Sequence, residues 1–295
     1  MEIIRTADMD WERLRVSSRN MRTSRKLLRD GQAAPGVGLY AVLVKTHEGQ
    51  EVFTAPRHRH NFSQIRMGLR GHMNFGPGLA CGPGEIGFFP GGAHYGPEEI
   101  AGAEYLLLQW GPDWVTRDQD KRAIDELSTH GRFEHGMYIY EQDGIEVTID
   151  GKRAVWEHIY NRPEIIREPR YRSPVMMTPD NFDWIAGEKI SHKTLGRFTE
   201  DDVTIAMVRW DRSGGTYEVG AERTSLIMVL EGYVLAQAHD CGPETVVWSE
   251  YGETTLLVGE TDSVVVIFGF PLPRPNAGAA ESASTQQAPS TVPIS

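Results

Sequence analysis

Chain breakers recur every few residues along most of this chain, and no other feature constrains its fold more. Between Gly38 and Gly111 the β-type runs 39–44, 62–69, 85–89 and 105–110 are separated by turns: Gly71, Gly76-Pro77-Gly78, Cys81-Gly82-Pro83-Gly84 and Pro90-Gly91-Gly92. Such short runs leave little room for long helices. Strands of this length joined by turns build sandwiches or small barrels. The pattern returns between Lys189 and Pro271, in 203–210, 225–230, 233–238, 246–248, 254–258 and 263–270. The sequence therefore predicts an all-β chain in which one barrel-like unit occurs twice, in keeping with a length of 295 residues.

The remaining segments fall between and around these units. Residues 1–36 form an N-terminal arm, and within it, from Trp11 to Asp30, Arg13, Arg15, Arg19, Arg22, Arg25, Lys26 and Arg29 outnumber Glu12 and Asp30. It reads as a solvated segment over an acidic surface or as an anion-facing arm, partly helical from a possible cap at Asp10. Residues 37–112 are the first barrel and 187–273 the second. Between them, 113–186 is a partly helical connector, with an amphipathic helix over 116–130 presenting Ile124 and Leu127 and a hairpin turn around 147–152. Residues 274–295 are Ala, Ser, Thr, Gln and Pro with hardly any bulky side chain, a disordered tail. A net charge of −11 argues against nucleic acid or an anionic membrane as partner. Two cysteines, no apolar run long enough to span a bilayer and no leader-like N-terminus fit a cytoplasmic protein.

Chemistry concentrates in His58-Arg59-His60-Asn61-Phe62-Ser63-Gln64-Ile65-Arg66. Alternate residues of a strand share a face, so His58, His60, Gln64 and Arg66 point together. His94, after the turn Pro90-Gly91-Gly92, is placed to join them from a neighbouring strand. Arg66 reads equally as a bidentate clamp for a substrate carboxylate or as half of an internal ion pair. Tyr95 could donate to a substrate, although a packed aromatic is the blander reading, and Gln109 could line the cavity.

These residues carry a resemblance. His58-x-His60-x3-Gln64-x6-Gly71 resembles the first cupin motif, and Gly84-x5-Pro90-x-Gly92-x-His94 resembles the second, one residue short of its usual spacing to His. The resemblance implies a bicupin: two double-stranded β-helix (jelly-roll) barrels. It implies one divalent transition metal per chain, held by His58, His60, Gln64 and His94, with Fe(II) favoured over Mn, Ni or Zn. Aligning Gly71 with Gly232 places Val219, Ala221, Ser225 and Thr255 at the corresponding positions of the second barrel, which would then have lost its metal. Three imidazoles and a neutral amide would leave the metal charge uncompensated, which suits a small acidic or phenolic substrate. The run 58–71 is also similar to gentisate-type ring-cleaving dioxygenases, in which Arg66 matches a substrate-side arginine. Gln64 departs from that pattern and matches non-redox metal cupins instead. The resemblance thus implies a dioxygenase first. A lyase or isomerase with Tyr95 or a water moving protons, or a ligand-binding cupin, follows. Cupins commonly dimerise, so a homo-oligomer is expected.

Overall fold

The computed structural model describes the chain except residues 14–22, 35, 50, 51, 112, 113, 200 and 273–295. Arg15, Arg19, Arg22 and the expected tail therefore lie outside the described residues. The first barrel is built on a seven-stranded sheet in the order Val175–Met177, Ile86–Phe89, Ser63–Arg70, Glu104–Gly111, Val37–Thr46, Thr23–Ala34 and Glu12–Arg13. Two short ladders accompany it, Glu98–Ile100 with Phe53–Ala55 and Met73–Gly76 with Leu79–Cys81. The second barrel repeats the plan with a six-stranded and a four-stranded sheet. The repeat extends to the turns: Gly71 and Gly232 both have φ of 66°, a conformation that favours glycine at either site.

The large sheets of the two barrels pack back to back, which explains why their strands are apolar on both faces. Along Val37–Thr46, Leu39, Ala41 and Leu43 face the other barrel, while Tyr40, Val42 and Val44 face the interior of their own. Ile65 and Met67 join the inter-barrel core in the same way, and this parity turns Gln64 and Arg66 inward. Phe88 stacks on Phe198 of the second barrel with ring centroids 3.9 Å apart, and Trp110 meets Phe270 at 6.2 Å. Each such ring, fully removed from water, contributes about 1.5–3 kcal/mol.

Two local expectations are overturned by tertiary pairing. The arm is not a separate segment: its described residues are mostly strand, and residues 14–22 of the expected helix lie outside the described residues. Glu2–Arg5 pairs with Thr245–Trp248 of the second barrel, and Thr23–Ala34 pairs along Val37–Thr46 of the first. Lys26 donates to the Thr6 carbonyl at 2.8 Å and Arg29 reaches Glu2 at 3.0 Å, so part of the basic run fastens one barrel to the other. The hairpin turn lies at Asp143-Gly144, both with positive φ, and not at Asp150-Gly151. At the latter pair the Asp150 carboxylate instead accepts from the backbone of Lys152 and Arg153 and starts helix α2, Gly151–Tyr160. The expected helix is present as α1, Arg117–Leu127, closed by a Thr116–Gln119 capping box and burying Ile124. Among the described residues, no helix is long and apolar enough to cross a membrane.

Candidate functional site

His58 and Tyr95 face each other across an antiparallel bridge, with His58 N donating to Tyr95 O at 2.9 Å and Tyr95 N to His58 O at 3.0 Å. Bridged partners project to the same side, and the next residue along projects to the other. Tyr95 therefore enters the first barrel beside His58, and His94 turns out of it. This corrects the expected ligand set. His94 does not line the cavity, and its imidazole is held below its ordinary pKa by partial desolvation and by Arg57 and Arg59. Counting one residue further from Gly92 restores the usual motif spacing, and that position is a tyrosine.

His58, His60, Gln64 and Arg66 do share a cavity with Tyr95. The Gln64 amide donates to the Tyr95 hydroxyl at 2.5 Å, and the Arg66 guanidinium donates to the same oxygen at 3.2 Å. The Gln64 carbonyl oxygen accepts from Arg66 Nε at 3.2 Å and from Gln109 Nε2 at 3.4 Å. Arg66 also forms an ion pair with Glu98, a residue 3% exposed and unanticipated from the sequence. Of the two readings of Arg66, the internal ion pair is the one observed. Desolvation opposes its charge, yet Glu98, Tyr95 and Tyr105 more than offset this and raise its pKa, so it stays cationic. The ring faces of Phe89 and Tyr95 lie 4.5 and 5.0 Å from the guanidinium carbon. His58 Nδ1 lies 2.6 Å from the Pro56 carbonyl and must donate to it, which leaves Nε2 as the basic nitrogen, 3.8 Å from Glu98. His60 stacks on Phe62 at 4.4 Å.

The cavity, about 730 Å³, is lined from the barrel by Thr23, Arg25, Tyr40, Phe62, Tyr105 and Gln109 among others. The connector roofs it, with Asp118, Asp120 and Lys121 from α1 and Arg153 and Trp156 from α2. Burial pushes the Tyr105 hydroxyl up to about 12. At the roof, burial and then Asp150 and Glu157 push the Glu164 carboxyl up to about 7. Glu98 had a faint signal, because Ile100, two residues on in the same strand, is apolar and buried. Arg25 and Glu164 had none, since only strand pairing and the connector's path bring them to the cavity. Cys81 is buried with its thiol pushed up to about 11, chiefly by burial, which suits packing.

A divalent transition metal needs three or more donors converging on one point. Among the described residues, no three His, Cys, Asp or Glu side chains do so. The Gln64 oxygen already accepts two donors, and the Arg66 cation lies against it. With tyrosine in place of the third imidazole, the residues present do not fit the expected ion. In the second barrel Thr255 donates to Ser249 at 2.8 Å beside buried Val219 and Ser225, a hydrogen-bonded wall without metal donors.

No family model matches the chain, and no curated protein matches it by sequence. Solved structures do. A candidate dioxygenase from Nostoc punctiforme is 13% identical, with a TM-score of 0.57 over 93% of this chain and 84% of that one. A candidate glyoxylate-induced protein from Pseudomonas aeruginosa is 12% identical, with a TM-score of 0.53 over 90% and 87%. Oxalate decarboxylase from Bacillus subtilis, a protein with Mn(II) centres, is 13% identical, with a TM-score of 0.51 over 93% and 78%. At these identities the likeness is one of fold, and the fold is that of the bicupins. It is a fold that hosts metal chemistry in the decarboxylase, but a fold alone does not assign a reaction.

Proposed function

We propose that the first barrel is the reaction chamber of a non-redox enzyme, a lyase or isomerase acting on a small anionic, hydroxylated or enolisable compound. The observation that carries this reading is the Tyr95 hydroxyl, held in the cavity by two donors to its oxygen, one of them the Arg66 cation. Both lone pairs accept, so any further bond the hydroxyl makes is as donor, and the adjacent cation strengthens it. Such a donor stabilises negative charge developing on a substrate oxygen. His58 Nε2 is the base: it removes a proton from the carbon beside a substrate carbonyl, and the electron pair moves onto that carbonyl oxygen against Tyr95. The resulting enolate is reprotonated at another carbon, or expels a group. Gln64 and Arg66 hold Tyr95, and Glu98 balances the Arg66 charge.

The test is proton exchange. A panel of hydroxy and keto acids in D2O, followed by 1H NMR without oxygen and after chelation, should show solvent deuterium entering the α position of one of them. Tyr95→Phe should lower the rate about 10²–10³-fold, the loss expected of one oxyanion donor. Turnover that needs oxygen and tightly bound iron would overturn this reading and restore the dioxygenase expectation. Binding of an acid without any exchange would instead support a ligand-binding barrel.

A further inference from the structure

The four motif positions still converge in space once Tyr95 takes the place expected of His94. The rings of His58 and Tyr95 have centroids 4.4 Å apart, those of His58 and His60 4.9 Å, and those of His60 and Tyr95 6.1 Å. The Gln64 amide reaches the Tyr95 hydroxyl at 2.5 Å. Their polar atoms are nevertheless committed elsewhere. Gln64 is held at both ends, its oxygen by Arg66 and Gln109 and its nitrogen by Tyr95. The Tyr95 oxygen accepts from Gln64 and Arg66. The basic nitrogen of His58 lies 3.8 Å from Glu98, the partner of Arg66.

Arg66 is the common member of these contacts. Each of its three guanidinium nitrogens donates within the fold: Nε to Gln64, Nη1 to Glu98 and Nη2 to Tyr95. A guanidinium does not lose its charge in a protein, and this one is buried. It occupies lone pairs on the oxygens a metal ion would need, and it repels a dication approaching them. The second barrel offers a comparison. Aligning Gly71 with Gly232 places Ile227, buried and apolar, at the position of Arg66, beside Val219, Ala221 and Ser225 at the ligand positions. The buried cation therefore occurs in the barrel that keeps polar ligand positions. We infer that in the first barrel a resident cation, Arg66 paired with Glu98, has taken over from the metal ion. Gln64 and Tyr95 hold that guanidinium in place of the ion, and the chamber works without a metal. Two substitutions separate it from a metal centre: the tyrosine at 95 and the arginine at 66.

Whether the barrel binds an ion is independent of what it catalyses, so this inference and the enzyme reading fail separately. The probe is Co(II), whose visible absorption reports bound imidazole, titrated into the chelator-treated full chain and followed also by calorimetry. The wild type should show no one-to-one site that His58→Ala removes. Tyr95→His with Arg66→Met restores a third imidazole and removes the cation, while Glu98 remains to offset the charge of the ion. This variant should gain a one-to-one site at least about 100-fold tighter than any in the wild type. Adding His58→Ala should abolish that site. Unfolding temperature checks that the variant folds. If it does not, Tyr95→His with Arg66→Met and Glu98→Leu keeps the buried charge balanced and serves in its place. Wild-type Co(II) binding that His58→Ala removes, or a folded variant that gains no site, would overturn the inference. A wild type without the site and without α-proton exchange on any acid would keep it and overturn the enzyme reading. Exchange that persists after chelation in a wild type that binds Co(II) through His58 would do the reverse.

Discussion

Removing the Glu98 carboxylate should strand the Arg66 guanidinium inside the first barrel. Arg66 is 7% exposed, and after Glu98→Ala its remaining partners are the Gln64 oxygen and the Tyr95 hydroxyl, both at 3.2 Å, and the Met73 sulfur at 3.8 Å. None of these carries a charge. Breaking a buried pair by deleting one partner costs about 3–5 kcal/mol, because an uncompensated charge stays behind. For a chain of this size that is a fall in Tm of roughly 6–20 °C. Arg66→Met with Glu98→Leu removes both charges and fills similar volume, so it should regain most of the loss. Thermal and urea unfolding of Arg66→Met, Glu98→Leu and the variant carrying both form a cycle, with a coupling of about 2 kcal/mol or more expected. A loss below about 1 kcal/mol in Glu98→Ala, or additive losses in the double variant, would show that the pair is solvated and that Arg66 does not hold Tyr95 as described.

Three further outcomes follow from particular contacts. His94→Ala should leave exchange activity within about twofold of wild type, because His94 faces away from the cavity; a tenfold loss would return it to the site. Glu164 has its carboxyl raised from 4.5 to about 7, so the stability it contributes is fully present below about 4.5 and is lost as pH rises through about 7. Glu164→Gln should remove that part of the decline, and Tm curves of variant and wild type that run parallel from pH 4 to 8 would refute the assignment. Phe88→Ala should cost about 3–5 kcal/mol, since Phe88 is fully buried against Phe198 between the barrels, and calorimetric unfolding at scanned temperature would measure it.

Much of the fold was legible because turns and strand parity are local. The glycines at 71 and 232 marked the repeat, and the alternation from Gln64 to Arg66 put both side chains on the inner face, as observed. The helix at 117–127 was legible from its apolar stripe of Ile124 and Leu127. The arm was misread because a strand that lacks its own alternation is recognised only by its partner, and Thr23–Ala34 finds that partner in Val37–Thr46. The two Asp-Gly pairs show the same limit: identical dipeptides became a turn and a helix start according to what the following residues pack against.

By itself, then, the sequence determined a twice-repeated β architecture and the inward face that carries His58, His60, Gln64 and Arg66. Tertiary structure alone decided what that face does. A shift of one residue exchanges the two sides of a strand, so the bridge from His58 to Tyr95, and not the presence of a histidine at 94, selected the group that enters the barrel. Charge pairing was decided in the same way. Glu98 and Arg66 are 32 residues apart in sequence, and only the closed barrel brings the one to neutralise the other. Ion pairing depends on separation in space and on exclusion of water, and neither is written in the order of residues.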